Sequence, residues 1–331
     1  MAIPGIGELL ASTDVKRNKS VADMVGNANV LYHLMDKEGN IKEDADGRAL
    51  YEEFAYSQNN AYQAITAAQE IDLDFNETLD SFVYTPKQSV IPVMITELEK
   101  AQNQGPSQVL NLMKERGKTG EKTMINEINT DLNGDGTGRN GLAFAGIKSY
   151  VLDTPASGTI GGVSLANAAA ARNISHALTG GSAPFNAATD ATNIEDKILY
   201  HKNELQTWGG AKLIGYIGST FFRYGATALR TRQRLVDEEL ASAGFKDHII
   251  LEGIPFFLAG GYNPQSGSVI AADRFYILTP SVFKFRTYKG YNMQALPNRV
   301  STRQLVDVGL RVCIGQFTCS DPSKNAVGYE S

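Results

Sequence analysis

The sequence predicts an α+β fold, with helices and strands mixed rather than alternating as regular βαβ units. Three observations predict it. Ser107 to about Leu132 is one long helical pattern, with Val109, Leu110, Met113, Met124, Ile125, Ile128 and Leu132 on one face. Residues 40–95 carry strand-like alternation and no convincing helix. Beyond residue 140, short apolar strands interleave with two amphipathic helices, and no internal repeat is present. A chain of 331 residues, 42% hydrophobic and 20% charged, can bury a sizeable core and build two or three domains.

Taken in order, Pro4, Gly5 and Gly7 break the first residues, and Val21, Met24, Val25 and Ala28 predict a helix over Val15 to Leu34. Leu50, Phe54 and Tyr56, then Phe82, Tyr84 and Val90, fall in two alternating segments joined by turn residues around Asn59-Asn60. Pro86 and Pro92 restrict the second segment to a sheet edge or an extended arm, because proline cannot donate to a ladder. This two-stranded excursion has little apolar mass of its own, and isolated hairpins are marginal in water. It needs a surface to lie on, in its own chain or in a neighbour. Gly117 and Gly120 interrupt the long helix at a cost of about 1 kcal/mol each against alanine, and mark close packing or a bend.

Asn193 is the expected cap of a helix running to Trp208, with Ile194, Ile198, Leu205 and Trp208 inward. Ser219 is the expected cap of another, to about Ala243, where Gly244 stops it. Strands are expected at Leu213–Ile217, His248–Leu251, Ile254–Leu258, Phe275–Leu278 and Val282–Tyr288, with a last pair around Leu305–Phe317.

Charge and cysteine usage narrow the function classes. Net charge is −5, and the longest basic cluster is Arg230-Thr-Arg232-Gln-Arg234, read as a solvated helix face. A dedicated nucleic-acid binder is usually basic. Cys313 and Cys319 sit six apart in one strand, roughly 20 Å when extended, so free buried thiols in a reducing compartment are expected. No segment approaches the ~18 continuous apolar residues of a membrane helix, and the N-terminus has no signal-peptide pattern. A soluble cytosolic product is expected.

Several motifs approach chemistry and stop short. Asp131 to Gly138 reads DLNGDGTG, matching the first half of an EF-hand loop at Asp131, Asn133, Asp135 and Gly136. The twelfth position, where a bidentate Glu belongs, is Leu142, and the ninth is Arg139. Gly134, Gly136 and Gly138 are therefore assigned to a structural turn after the helix. Arg116-Gly-Lys-Thr119 ends like a P-loop, but Leu112 stands where its first glycine belongs. Gly162-Val-Ser164-Leu-Ala166 resembles a nucleophile elbow but ends in alanine. His33, His176, His201 and His248 are scattered, and His201 is read as a surface or boundary residue. No catalytic, metal or cofactor residue is assigned.

The order of parts carries more than any motif. NTDLNGDGTGRNGLAFAGIKSYV (Asn129 to Val151), SGTIGGVSLANAAAARN (Ser157 to Asn173) and KLIGYIGSTFFRYGATAL (Lys212 to Leu229) follow one another. GFKDHIILEGIPFFLAGGY (Gly244 to Tyr262) and DRFYILTPSVFKFRTYKG (Asp273 to Gly290) come next. In this order and spacing the chain resembles the major capsid proteins of tailed bacteriophages, which share the Hong Kong 97-like fold. One departure is at Ala168 to Asn173, where the family often carries Trp and this chain has Ala and Arg.

The resemblance implies an N-terminal arm at 1–39, an extended E-loop hairpin at 40–95 and a P-domain with a long spine helix at 96–139. It implies an A-domain at 140–272, P-domain strands at 273–303, and C-terminal strands of the A-domain at 304–331. The implied role is structural and not enzymatic: a subunit that self-assembles into the icosahedral shell of a virion enclosing double-stranded DNA, touching the DNA only weakly. The implied partners are other copies of itself, a separate scaffolding protein, a portal and decoration proteins, with assembly in the host cytoplasm and no membrane. Some relatives crosslink an E-loop lysine; Lys37, Lys42 and Lys87 are available, and solvated lysines are expected. Leu50, Phe54, Tyr56 and Tyr62 are the candidates for burial against a neighbouring subunit, with packing on their own chain an equal alternative. An encapsulin-like nanocompartment shell is the alternative within the fold. A calcium-binding or hydrolytic protein using Asp131–Asp135 is the remote one.

Overall fold

A computed structural model describes residues 30–57, 62–66, 70, 77–102, 112–177, 190–206, 212–229, 248–258, 270–272, 274–300 and 304–329. Among these, the strands form two main sheets and two short hairpins. The long sheet has the order β1 (Ile41–Ala45), β12 (Phe283–Tyr288), β14 (Val306–Cys319), β13 (Gln294–Val300), with β4 (Lys87–Thr96) on the other edge of β14. β14 is the axis of this sheet. Along one edge it pairs with β4 from Val306↔Thr96 to Gly315↔Lys87, and along the other with β13 and then β12. Pro92 sits in β4, which pairs only with β14, so the edge position expected from the prolines is where the strand lies.

The long helix α3 (Leu112–Leu132) packs across β4. Its buried side chains Met124, Ile128 and Leu132 follow the expected face. A helix over Val15 to Leu34 was expected; residues 1–29 lie outside the described residues, and the described part is α1 (Val30–Lys37), which buries Leu31 and Met35. A short helix α2 (Glu97–Gln102) follows β4.

The second sheet has the order β7 (Ile174–Ala177), β15 (Ala326–Tyr329), β11 (Arg274–Leu278), β8 (Ile214–Ile217), β10 (Ile254–Leu258), β9 (His248–Leu251). Alternation along its strands feeds two cores. Ile214, Tyr216, Tyr276, Leu278 and Val327 face one core, shared with the long sheet. Ile217, Phe275, Ile277 and Ala326 face the other, under α4 (Asp190–Gln206) and α5 (Ser219–Leu229).

Four expectations are corrected. α4 begins at Asp190, so Asn193 lies inside its first turn and does not cap it. His201 is buried rather than at the surface, because it shares the inward stripe of Ile194, Ile198 and Leu205 and packs edge-on against Phe275. The stretch Leu305–Phe317 is one fourteen-residue strand and not a pair. The strands of 304–331, expected together as the C-terminal strands of an A-domain, divide between the sheets: β14 belongs to the long sheet and β15 to the other. The Arg230–Arg234 cluster and Trp208 lie outside the described residues.

Candidate assembly surface

The excursion expected at 40–95 is built around a hairpin. β2 (Leu50–Ala55) and β3 (Leu79–Tyr84) pair antiparallel, from Leu50↔Tyr84 to Ala55↔Leu79, as a two-stranded sheet of their own. Period-two alternation sorts their side chains. Leu50, Glu52 and Phe54 point toward the rest of the chain, and Tyr51, Glu53 and Ala55 away from it.

The four candidates therefore have different fates. Leu50 is 2% exposed in its own chain's core, so it has no surface to give a neighbour and is removed from the assembly candidates. Phe54 and Tyr56 are half-buried against the same core, with Phe54 stacked on Phe82. Tyr62 is 87% exposed. The outward face of the hairpin adds three residues the sequence did not single out: Tyr51, Val83 and Leu79, of which Tyr51 and Val83 are direct cross-strand partners.

A second apolar strip lies on the long sheet. α3 covers the face of β4 that carries Ile91, Val93 and Ile95, and Gly120 meets Val93 there. The opposite face of β4 presents Val90, Pro92 and Met94, with Val312, Leu310 and Val308 beside them on β14. Val90 and Met94 are about half exposed, at 51% and 52%. Toward the end of this sheet Leu98 and Leu305 are also exposed, around a buried carboxylate: Glu99 takes two hydrogen bonds from Arg116 and two from Thr96. Those donors hold its carboxyl below the usual range against the opposing effect of burial.

The turn after α3 is held by its own side chains and amides. The Arg139 guanidinium bonds Asp131, the carboxylate that would open a cation loop, and Glu127 on α3. Asp135 accepts from the Thr137 amide and hydroxyl. Gly136 has φ +75°, which suits glycine. Gly134 accepts the Lys148 amide, and Gly138 accepts that of Ala143. The most demanding glycine was not foreseen: a Cβ on Gly146 would stand 2.4 Å from the Asp131 and Leu132 carbonyl oxygens. Lys87 is not solvated as expected. Its ammonium donates to the Gly136 and Ala143 carbonyls, and burial draws its pKa down. The P-loop-like residues are ordinary helix surface, with Lys118 bonded to Glu115 and the Thr119 hydroxyl to the Glu115 carbonyl.

No protein-family model and no curated protein matches the sequence. Solved structures do. The chain is similar to one in the "Cyanophage A-1(L) capsid asymmetric unit", with a TM-score of 0.64 and 13% identity over 97% of this chain and 98% of that one. A chain of the capsid of the native GTA particle aligns with a TM-score of 0.60 and 10% identity, covering 96% and 95%. A chain of the bacteriophage PhiM1 mature capsid gives 0.53 and 11%, covering 96% and 91%. These chains match along nearly their whole length, and so this chain has the Hong Kong 97-like fold of phage capsid proteins.

Proposed function

We propose that this chain is the major capsid subunit of a tailed bacteriophage, assembling with copies of itself into the icosahedral shell that encloses the genome. The observation that carries the proposal is the pair of apolar strips: Tyr51, Val83, Leu79 and Tyr62 on the hairpin, and Val90, Pro92 and Met94 on the sheet. Scattered exposed apolar residues are normal, but the Tyr51–Val83 cross-strand pair and the Val90, Pro92 and Met94 strip group theirs together, as interaction sites do. Two different strips on one chain make a heterologous contact, and repeating it by rotation closes rings and then a shell. The full-length likeness to capsid chains supports the same role. That role is architectural and calls for no reaction.

The finer parts of the proposal are a separate scaffolding protein, a portal and decoration proteins as partners. Weak contact with packaged DNA and assembly in the host cytoplasm belong to the same scheme. Light scattering and electron microscopy of the purified full chain, alone and with a candidate scaffold, test it. Shells, tubes or rings of subunits are expected. A strict monomer under both conditions overturns it.

A further inference from the structure

We propose that Glu52 is the positioning residue that sets the angle at which the β2–β3 hairpin leaves the body of the protein. The hairpin shares no strand ladder with either main sheet, so contacts outside a ladder must fix its direction. Its apolar root of Leu50, Phe82 and Tyr84 is deeply buried, but apolar burial is non-directional. The directional contacts to the long sheet are the Tyr84 hydroxyl, which donates to the Cys319 carbonyl at 2.9 Å from β3, and on β2 the Glu52 carboxylate, 7% exposed, at its inward third position. This carboxylate accepts from three donors on two strands of the long sheet. Lys284 Nζ lies 2.8 Å from Oε2, while Arg286 Nη1 at 3.2 Å and Thr318 Oγ1 at 3.1 Å reach Oε1. Arg286 is itself held, by Asp44 of β1 at 3.0 Å and by the Tyr51 carbonyl at 3.1 Å.

A further fixed point lies on the other strand. Val83 N–H donates to Gly161 O at 2.9 Å, joining the outer edge of β3 to the turn between β5 (Thr159–Ile160) and β6 (Val163–Ser164). A Cβ on Gly161 would stand 2.7 Å from Phe82 Cβ, so this turn is pressed against the hairpin. Anchors on β2 and on β3 together remove the rotation about the hairpin's root. A buried ionic cluster contributes little net stability compared with apolar residues of the same volume. What three converging donors on one carboxylate do supply is a single geometry. Placing the outward strip of the hairpin at one height for a neighbouring subunit follows from this, and that consequence alone rests on the capsid proposal.

The test is a distance distribution measured by pulsed electron paramagnetic resonance on the dispersed full chain. Spin labels go on Leu79→Cys and Leu305→Cys, both exposed positions, while native Cys313 and Cys319 are fully buried. One narrow distribution is expected for the parent. Glu52→Gln should broaden or shift it with cooperative unfolding retained, and Thr318→Val should do so less. An unchanged distribution in Glu52→Gln overturns the proposal. Should that variant not fold, unchanged distributions in Thr318→Val and Lys284→Met overturn it instead. A broadened distribution in a chain that never forms shells supports the positioning role and counts against the capsid proposal alone.

Discussion

The rings of Phe54 and Phe82 lie parallel, 4.0 Å between centroids and 7° between planes, on diagonal positions of the β2–β3 hairpin. The stack marks where the hairpin stops belonging to its own core. Phe82 is fully buried, Phe54 half so, and Tyr62 farther along is almost fully exposed.

Phe54 and Tyr62 should therefore separate folding from assembly. Phe54→Ala loses half-buried area and an aromatic stack, an expected cost of about 2 kcal/mol. Tyr62→Asp should change stability by less than about 0.5 kcal/mol, as exposed substitutions do, yet reduce assembly. Denaturant titration reads the first effect and light scattering the second. Equal destabilisation by both would contradict the exposure of Tyr62.

Val90→Lys and Met94→Lys probe the strip on the long sheet. Each site is about half exposed, so folding stability should hold within about 0.5 kcal/mol. A charge in an interface core should weaken association by at least about 1.4 kcal/mol, or tenfold in the concentration needed to assemble. Scattering against protein concentration measures this, and unaltered thresholds in both variants would place the subunit contact elsewhere.

Gly117 and Gly120 differ by one turn of α3 and should differ in sign. Nothing lies within 4 Å of a Cβ on Gly117, so Gly117→Ala should stabilise by about 1 kcal/mol through helix propensity. A Cβ on Gly120 meets Val93 Cγ2 at 3.1 Å, so the same change there must push β4 away and forfeits the gain. Thermal unfolding of the two variants checks the contrast.

Acid should loosen the second core through His201. Burial pushes this imidazole down to about 4, opposed by the hydrogen bond from Nδ1 to the Lys197 carbonyl. His176 from β7 and Glu204 from α4 are the ionisable groups facing it, the first lowering and the second raising it. The unfolded chain titrates near 6.5, so it binds the proton first. Stability is thus full above about 6.5 and falls as pH drops toward 4, by about 3 kcal/mol at most. His201→Phe should flatten the slope of stability against pH across that window. An unchanged slope would mean the ring is not held neutral.

Much of the architecture was legible where pattern and burial coincide. β8 to β11 fall close to their expected positions as short, largely apolar runs, and β12 does so through strict alternation along Phe283–Tyr288. β1 was missed: Lys42, Glu43 and Asp44 are exposed, and the strand exists through its parallel pairing with β12, more than 240 residues away in sequence. β13 was missed because Pro297 and a shift of register between Leu296 and Arg299 break its alternation. His201 is polar yet lies on the helical stripe of Ile194, Ile198 and Leu205, and its place on that stripe decides its burial. The hairpin candidates show the limit most clearly. Leu50, Phe54 and Tyr56 share a face by period-two spacing, but which surface that face meets depends on the fold of the whole chain.

The positions of β14 and β15 have a consequence during synthesis. β14 and β15 are each an inner strand, of one sheet and of the other, yet both lie within residues 306–329. A chain still emerging from the ribosome has neither, and so cannot close either core. Completing either sheet waits for residues 306–329, and a chain cut before them is left with open strand edges. Both cores thereby depend on one short stretch, and a chain that has not reached residue 329 has neither sheet complete.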